Sequence, residues 1–87
     1  MRAEIQKEAI KQALIRINIR TESVLKEKGS ASFSSSHEIL GVITEEYNEL
    51  IEAVHKNDQQ LLLYELLDLA TACQFAIACI NERTLDW

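Results

Sequence analysis

The sequence contains no proline, and only two of its 87 residues are glycine. Without that punctuation there are no signals for tight β-hairpins, and strand formers are sparse, so a β-rich fold is excluded. Cysteine is nearly absent too. Cys73 and Cys79 stand six apart within one expected helix and point in different directions, so neither a disulfide framework nor a thiolate zinc site is available. Basic residues are outnumbered, nine against fourteen acidic, for a formal net charge of −5. A general nucleic-acid binder needs a basic patch to neutralise phosphates, and this chain has none. An acidic chain can still bind a polyphosphate if a divalent cation bridges the like charges. No apolar signal core is found in "MRAEIQKEAIKQ". The longest apolar stretches are broken by Glu65, Asp68, Thr71 and Gln74, so no membrane span is expected and the expected location is the cytoplasm.

What is present is 47% hydrophobic residues, rich in Leu, Ile and Ala, together with abundant Glu. That composition predicts an all-α chain, and 1–87 reads as a single helical domain. The first helix is expected over 3–28, on a stripe of Ile10, Ala13, Leu14, Ile17, Thr21, Val24 and Leu25. Gly29 ends it, and a serine-rich loop covers 29–35. Ser35 with Glu38 has the form of a capping box, so the second helix is expected over 36–56. Asn57 and Asp58 form a polar break, and the third helix follows over 59–82. The short connection makes the last two helices a central antiparallel hairpin.

The third helix, "LLLYELLDLATACQFAIACI", is apolar nearly all round and must be covered on several sides. Two short helices cannot cover it. Self-association as a dimer or tetramer, completing a four-helix-type bundle, is therefore expected.

Carboxylates interrupt the buried faces. At 100° per residue, Ile39, Val42, Ile43, Leu50, Ala53 and Val54 define the inner stripe of the second helix. Glu46 falls inside that stripe and Glu49 on its edge, while Glu38, Glu45 and Glu52 swing toward solvent. On the third helix, Leu61, Glu65, Asp68, Ala72, Ala76 and Cys79 share one strip. Glu49 and Glu65 are equidistant from Asn57, as are Glu46 and Asp68, so an antiparallel hairpin brings each pair level. Four carboxylates would converge, with no basic residue in either strip to offset them. Such a cluster is expensive unless something compensates it, and a divalent cation is the natural partner. All-oxygen ligation points to Mg²⁺, with Mn²⁺ able to replace it, rather than to zinc. A di-iron bundle would show Glu-x-x-His pairs, whereas His37 and His55 lie on the polar side of the second helix.

The motif Glu45-Glu46-Tyr47-Asn48-Glu49, then fifteen residues, then Glu65-Leu66-Leu67-Asp68 resembles the signature of the MazG-like all-α nucleoside triphosphate pyrophosphohydrolases. The resemblance covers roughly residues 36–80. It implies Mg²⁺-dependent cleavage of a (deoxy)nucleoside triphosphate to the monophosphate and pyrophosphate, a nucleotide-pool house-cleaning reaction. It also implies that Glu46, Glu49, Glu65 and Asp68 are the metal ligands, that Glu45 is an additional motif carboxylate that either supports a ligand from behind or orients water, and that Glu45 and Glu46 are the carboxylates nearest the chemistry. Relatives assemble as dimers or tetramers with nucleotide sites where subunits meet. Many also carry a further helix and more basic residues, whereas this chain closes on "NERTLDW" and offers only Lys26, Lys28 and Lys56 near the motif. The competing reading is a non-catalytic oligomerisation or nucleotide-binding module that keeps the fold. Tyr47, Tyr64 and Phe75 read as packing aromatics, and Phe33 in the serine loop as one that packs back onto a helix end.

Overall fold

The computed structural model describes all 87 residues and contains three helices: α1 (Lys7–Lys28), α2 (Ser36–His55) and α3 (Gln59–Asn81). Each boundary has a local cause. Gly29 ends α1 with φ 86°, a backbone state that side chains with a Cβ rarely adopt, and its N–H donates to the Leu25 carbonyl. The Ser35 hydroxyl accepts from the Glu38 N–H and so caps α2. The reciprocal bond is displaced by one residue, because the Glu38 carboxylate accepts from the N–H of Ser34 rather than of Ser35. Asp58 caps α3, accepting from the N–H groups of Gln60 and Leu61, while Asn57 takes the turn with φ 60°. Asparagine tolerates that left-handed state better than most residues.

α1 begins at Lys7, four residues later than the sequence pattern suggests. Gln6 is extended and provides no capping side chain, so nothing holds an earlier turn. α3 lies at the centre. It packs against both α2 and α1, whereas α1 and α2 do not pack on each other. By length and composition alone α3 could cross a membrane, with a mean hydropathy of 1.5 over 18 residues. That differs from the expectation of no span, because Glu65 and Asp68 are too few charges to lower the mean, and only 22% of that window is buried within this chain. Thr71, Ala72, Ala76 and Cys79 are its buried residues, and its carboxylates meet groups from α1 and α2.

The buried set is small: Ala53, Thr71, Ala72, Ala76 and Cys79, with no large side chain fully enclosed. On α2, Ile39, Val42, Ile43 and Leu50 are half-buried as the stripe predicts, but Val54 is exposed. α1 has no buried residue. The lower half of its stripe (Ile17, Thr21, Val24, Leu25) is half-buried against α3, whereas Ile10 and Leu14 are exposed. The chain has 7131 Å² of accessible surface, against about 5,200 Å² for a folded monomer of its mass. Its radius of gyration is 14.6 Å, against about 12 Å for a chain of this length.

After α3 the chain is not helical. It runs beside the serine-rich loop, where the Asp86 N–H donates to the Ser34 carbonyl and Ser32 and Thr84 share a hydrogen bond. Phe33 packs edge-on against Phe75, with ring centroids 5.3 Å apart. "NERTLDW" therefore straps the loop and adds no fourth helix.

Candidate metal centre

The hairpin turn at Asn57–Asp58 sets the register of α2 on α3, and that register places glutamates opposite one another. Carboxylate oxygens of Glu46, Glu49 and Glu65 all lie within 4.8 Å of one another. Glu46 and Glu65 are half-buried and Glu49 is exposed. One oxygen each of Glu46 and Glu65, Oε2 in both, is buried without any hydrogen-bond partner. A buried acceptor left unsatisfied costs the desolvation energy of that group, so two in one cluster point to a missing positive partner.

The electrostatics agree. Burial pushes the Glu46 carboxyl above its ordinary range, and the charges of Glu49, Asp68 and Glu65 push it further, against a smaller opposing pull from Lys28. Glu65 is raised as well, first by burial, then by the proton it can share with Glu49 and by the charges of Glu49, Asp68 and Glu52. For Glu46 the one opposing charge is Lys28, and for Glu65 no basic group opposes the rise.

Asp68 is arranged differently. Its Oδ1 accepts from Arg20 Nε at 2.6 Å, so it is held by α1 and stands outside the group of three glutamates. Its charge is still close enough to raise Glu46 and Glu65. Glu45 is exposed and also outside the group. Arg20 is the residue that the helix strips of the motif did not reveal, since it comes from α1. A signal was available: Arg20 is three residues from Ile17 and four from Val24, on the edge of the α1 stripe.

Beside the half-buried Ile17, Val24 and Leu25, the α1–α3 contact carries a chain of polar groups. The Thr21 hydroxyl lies 2.6 Å from Gln74 Oε1 and 3.2 Å from the hydroxyl of buried Thr71. Gln74 donates in turn to Asn18. Because α1 and α2 both lean on α3 without touching, a cleft of about 330 Å³ opens between them. Glu46, Asp68, Arg20 and Lys28 stand on its wall, with Val42 and Phe75 among its apolar lining. Lys26 and Lys56 do not line it. The cleft is of the size of small-ligand sites, apolar with a few convergent polar groups.

The donor set fits a hard divalent cation. Three carboxylates converge, two with a free buried oxygen, and no histidine or thiolate is among them. No curated protein and no solved structure matches the chain significantly. Residues 16–83, which include the C-terminal half of α1, all of α2 and α3, and every carboxylate of the motif, match the phosphoribosyl-ATP pyrophosphohydrolase family. That family is an all-α pyrophosphohydrolase family related to the MazG-like enzymes, acting on nucleotides with a divalent metal. With more than three quarters of its length matched, the chain belongs to the phosphoribosyl-ATP pyrophosphohydrolase family.

Proposed function

We propose that the protein is a Mg²⁺-dependent pyrophosphohydrolase that cleaves a nucleoside triphosphate between its α- and β-phosphates. The observation that carries this reading is the convergence of Glu46, Glu49 and Glu65 around two buried, unpartnered oxygens. A cation held there would offset the acidic protein's repulsion of a triphosphate and draw charge from the phosphate oxygens. Glu46, Glu49 and Glu65 would hold it. Water's oxygen bonds to the α-phosphorus, the bond from that phosphorus to the bridging oxygen breaks, and pyrophosphate leaves. The proton released from water needs a base. Glu45, the exposed motif carboxylate outside the cation group, is the one left free to orient that water and take the proton. The apolar cleft next to the carboxylates suits the nucleoside end, with the phosphates extending toward the glutamates.

Self-association belongs to the same reading. Ile10, Leu14 and Ile19 on α1, and Leu66, Ile77 and Ile80 on α3, are large apolar side chains left exposed. A second copy covering them would remove surface of the order by which this chain exceeds a monomer of its mass. Sedimentation should give a dimer or tetramer, and a monomer at micromolar concentration contradicts that part.

The test of function is pyrophosphate release from a panel of ribo- and deoxyribonucleoside triphosphates that includes phosphoribosyl-ATP, with Mg²⁺ or Mn²⁺. Release from at least one member is expected, with the matching monophosphate as co-product. Silence across the panel at high protein concentration sinks the proposal. The Asp68–Arg20 ion pair favours a second reading, a non-catalytic nucleotide-binding module, because it occupies one motif carboxylate. That reading predicts nucleotide binding with no pyrophosphate released.

A further inference from the structure

Asp68 is the one carboxylate of the ExxE/ExxD motif held away from the glutamate group, and Arg20 is what holds it. The ion pair is not deeply enclosed: the two side chains keep 41% and 26% of their exposure. Both residues line the cleft beside Glu46. This bond is the only side-chain hydrogen bond of Arg20, and it uses Nε alone.

We propose that Arg20 is a positioning residue that withholds Asp68 from the cation until a triphosphate arrives, then exchanges Asp68 for a phosphate oxygen. The inference rests on the cation reading above. Asp68 cannot serve a guanidinium and a dication fully at once, because the two positive charges would face each other across one carboxylate. An exchange of partners removes that conflict. Asp68 trades one positive charge for two, and Arg20 trades a carboxylate for a phosphate, which its planar fork also matches. Cation and nucleotide then assist each other's binding, since each occupies a group that the other's partner vacates. A purely structural pin between α1 and α3 is the plainer reading, but Thr21, Gln74 and Asn18 already provide one.

The test is Mn²⁺ affinity of the full chain without nucleotide, read by electron paramagnetic resonance, with KM for a triphosphate as a second readout. Arg20→Gln should bind Mn²⁺ at least about fivefold more tightly while its KM rises. Arg20→Lys, which keeps the charge and a donor for Asp68, should stay within about twofold of wild type in Mn²⁺ affinity, while its KM rises because the planar fork for phosphate is lost. Lys28→Gln removes a charge from the same cleft wall without touching Asp68, so it should gain no more than about twofold. In an Asp68→Asn background, Arg20→Gln should gain nothing. Unchanged or weaker Mn²⁺ binding by Arg20→Gln overturns the exchange, as does an equal gain in Lys28→Gln or a gain that survives in Asp68→Asn. If the wild type binds Mn²⁺ and Arg20→Gln matches it, the exchange alone falls. If the wild type binds none, the cation reading falls and takes the exchange with it.

Discussion

The α2–α3 hairpin and α1 are built by different rules. The hairpin has side-chain caps at the start of both helices, a turn shaped by Asn57, and every buried residue of the molecule. α1 has no side-chain cap, has no fully buried residue, and meets α3 through the half-buried Ile17, Val24 and Leu25 together with hydrogen bonds of Arg20, Thr21 and Asn18. The glutamate group lies wholly on the hairpin, where packing fixes its spacing. The residues that would answer a substrate, Arg20 and Lys28, lie on the helix that is held less firmly. The hairpin therefore holds the charge cluster, and a partly polar contact with α1 frames what approaches it.

The comparison is broken most sharply at Glu46. Glu46→Gln should lower pyrophosphate release at least a hundredfold, about 2.7 kcal/mol of transition-state stabilisation. The same substitution should raise the melting temperature in chelator, because it removes a buried, uncompensated charge. Loss of activity with a lower melting temperature would mean that Glu46 serves the fold rather than a cation.

Next comes pH. Glu46 and Glu65 have folded-state pKa values raised above the ordinary value of 4.5, so the native chain binds more protons than the unfolded one. Their contribution to stability is thus fully present below pH 4.5 and is lost as pH rises through the raised values. Melting curves in chelator should show this fall, and Mg²⁺ should remove it. At a hundred times its Kd, a cation bound only by the folded state adds about 2.7 kcal/mol. Identical curves with and without Mg²⁺ across the whole range would speak against the site.

The smallest effect expected is on α1. Gln74→Ala removes the partner shared by Thr21 and Asn18 and should cost about 1 kcal/mol by denaturant unfolding. Amide exchange should quicken in α1 before the hairpin. Equal quickening in all three helices would erase the distinction between the two regions.

The hairpin was legible in the sequence because its determinants are local. Ser35 and Asp58 mark helix starts by their chemistry, and helical phase about Asn57 brings Glu46, Glu49 and Glu65 together. Asp68 shared that phase, yet its side chain goes to α1, and the angle at which α1 docks is not written in the period of either hairpin helix. The hydrogen bonds that Arg20 and Asn18 add to the half-buried apolar stripe of α1 likewise have no mark in its apolar period. The exposed Ile10 and Leu14 belong to a stripe that periodicity predicts but that this chain alone does not cover. The pairing of the tail with the serine loop was also hidden, since the Asp86–Ser34 backbone bond and the Ser32–Thr84 hydroxyl contact leave no periodic pattern in the sequence.

The central claim is that the three glutamates of the hairpin hold a divalent cation. An anomalous difference map from crystals grown with Mn²⁺ tests it most directly. The account predicts one strong peak within about 2.0–2.6 Å of oxygens from Glu46, Glu49 and Glu65. A clean map at these residues in a fully occupied Mn²⁺ soak, or a peak held elsewhere on the chain, would contradict it.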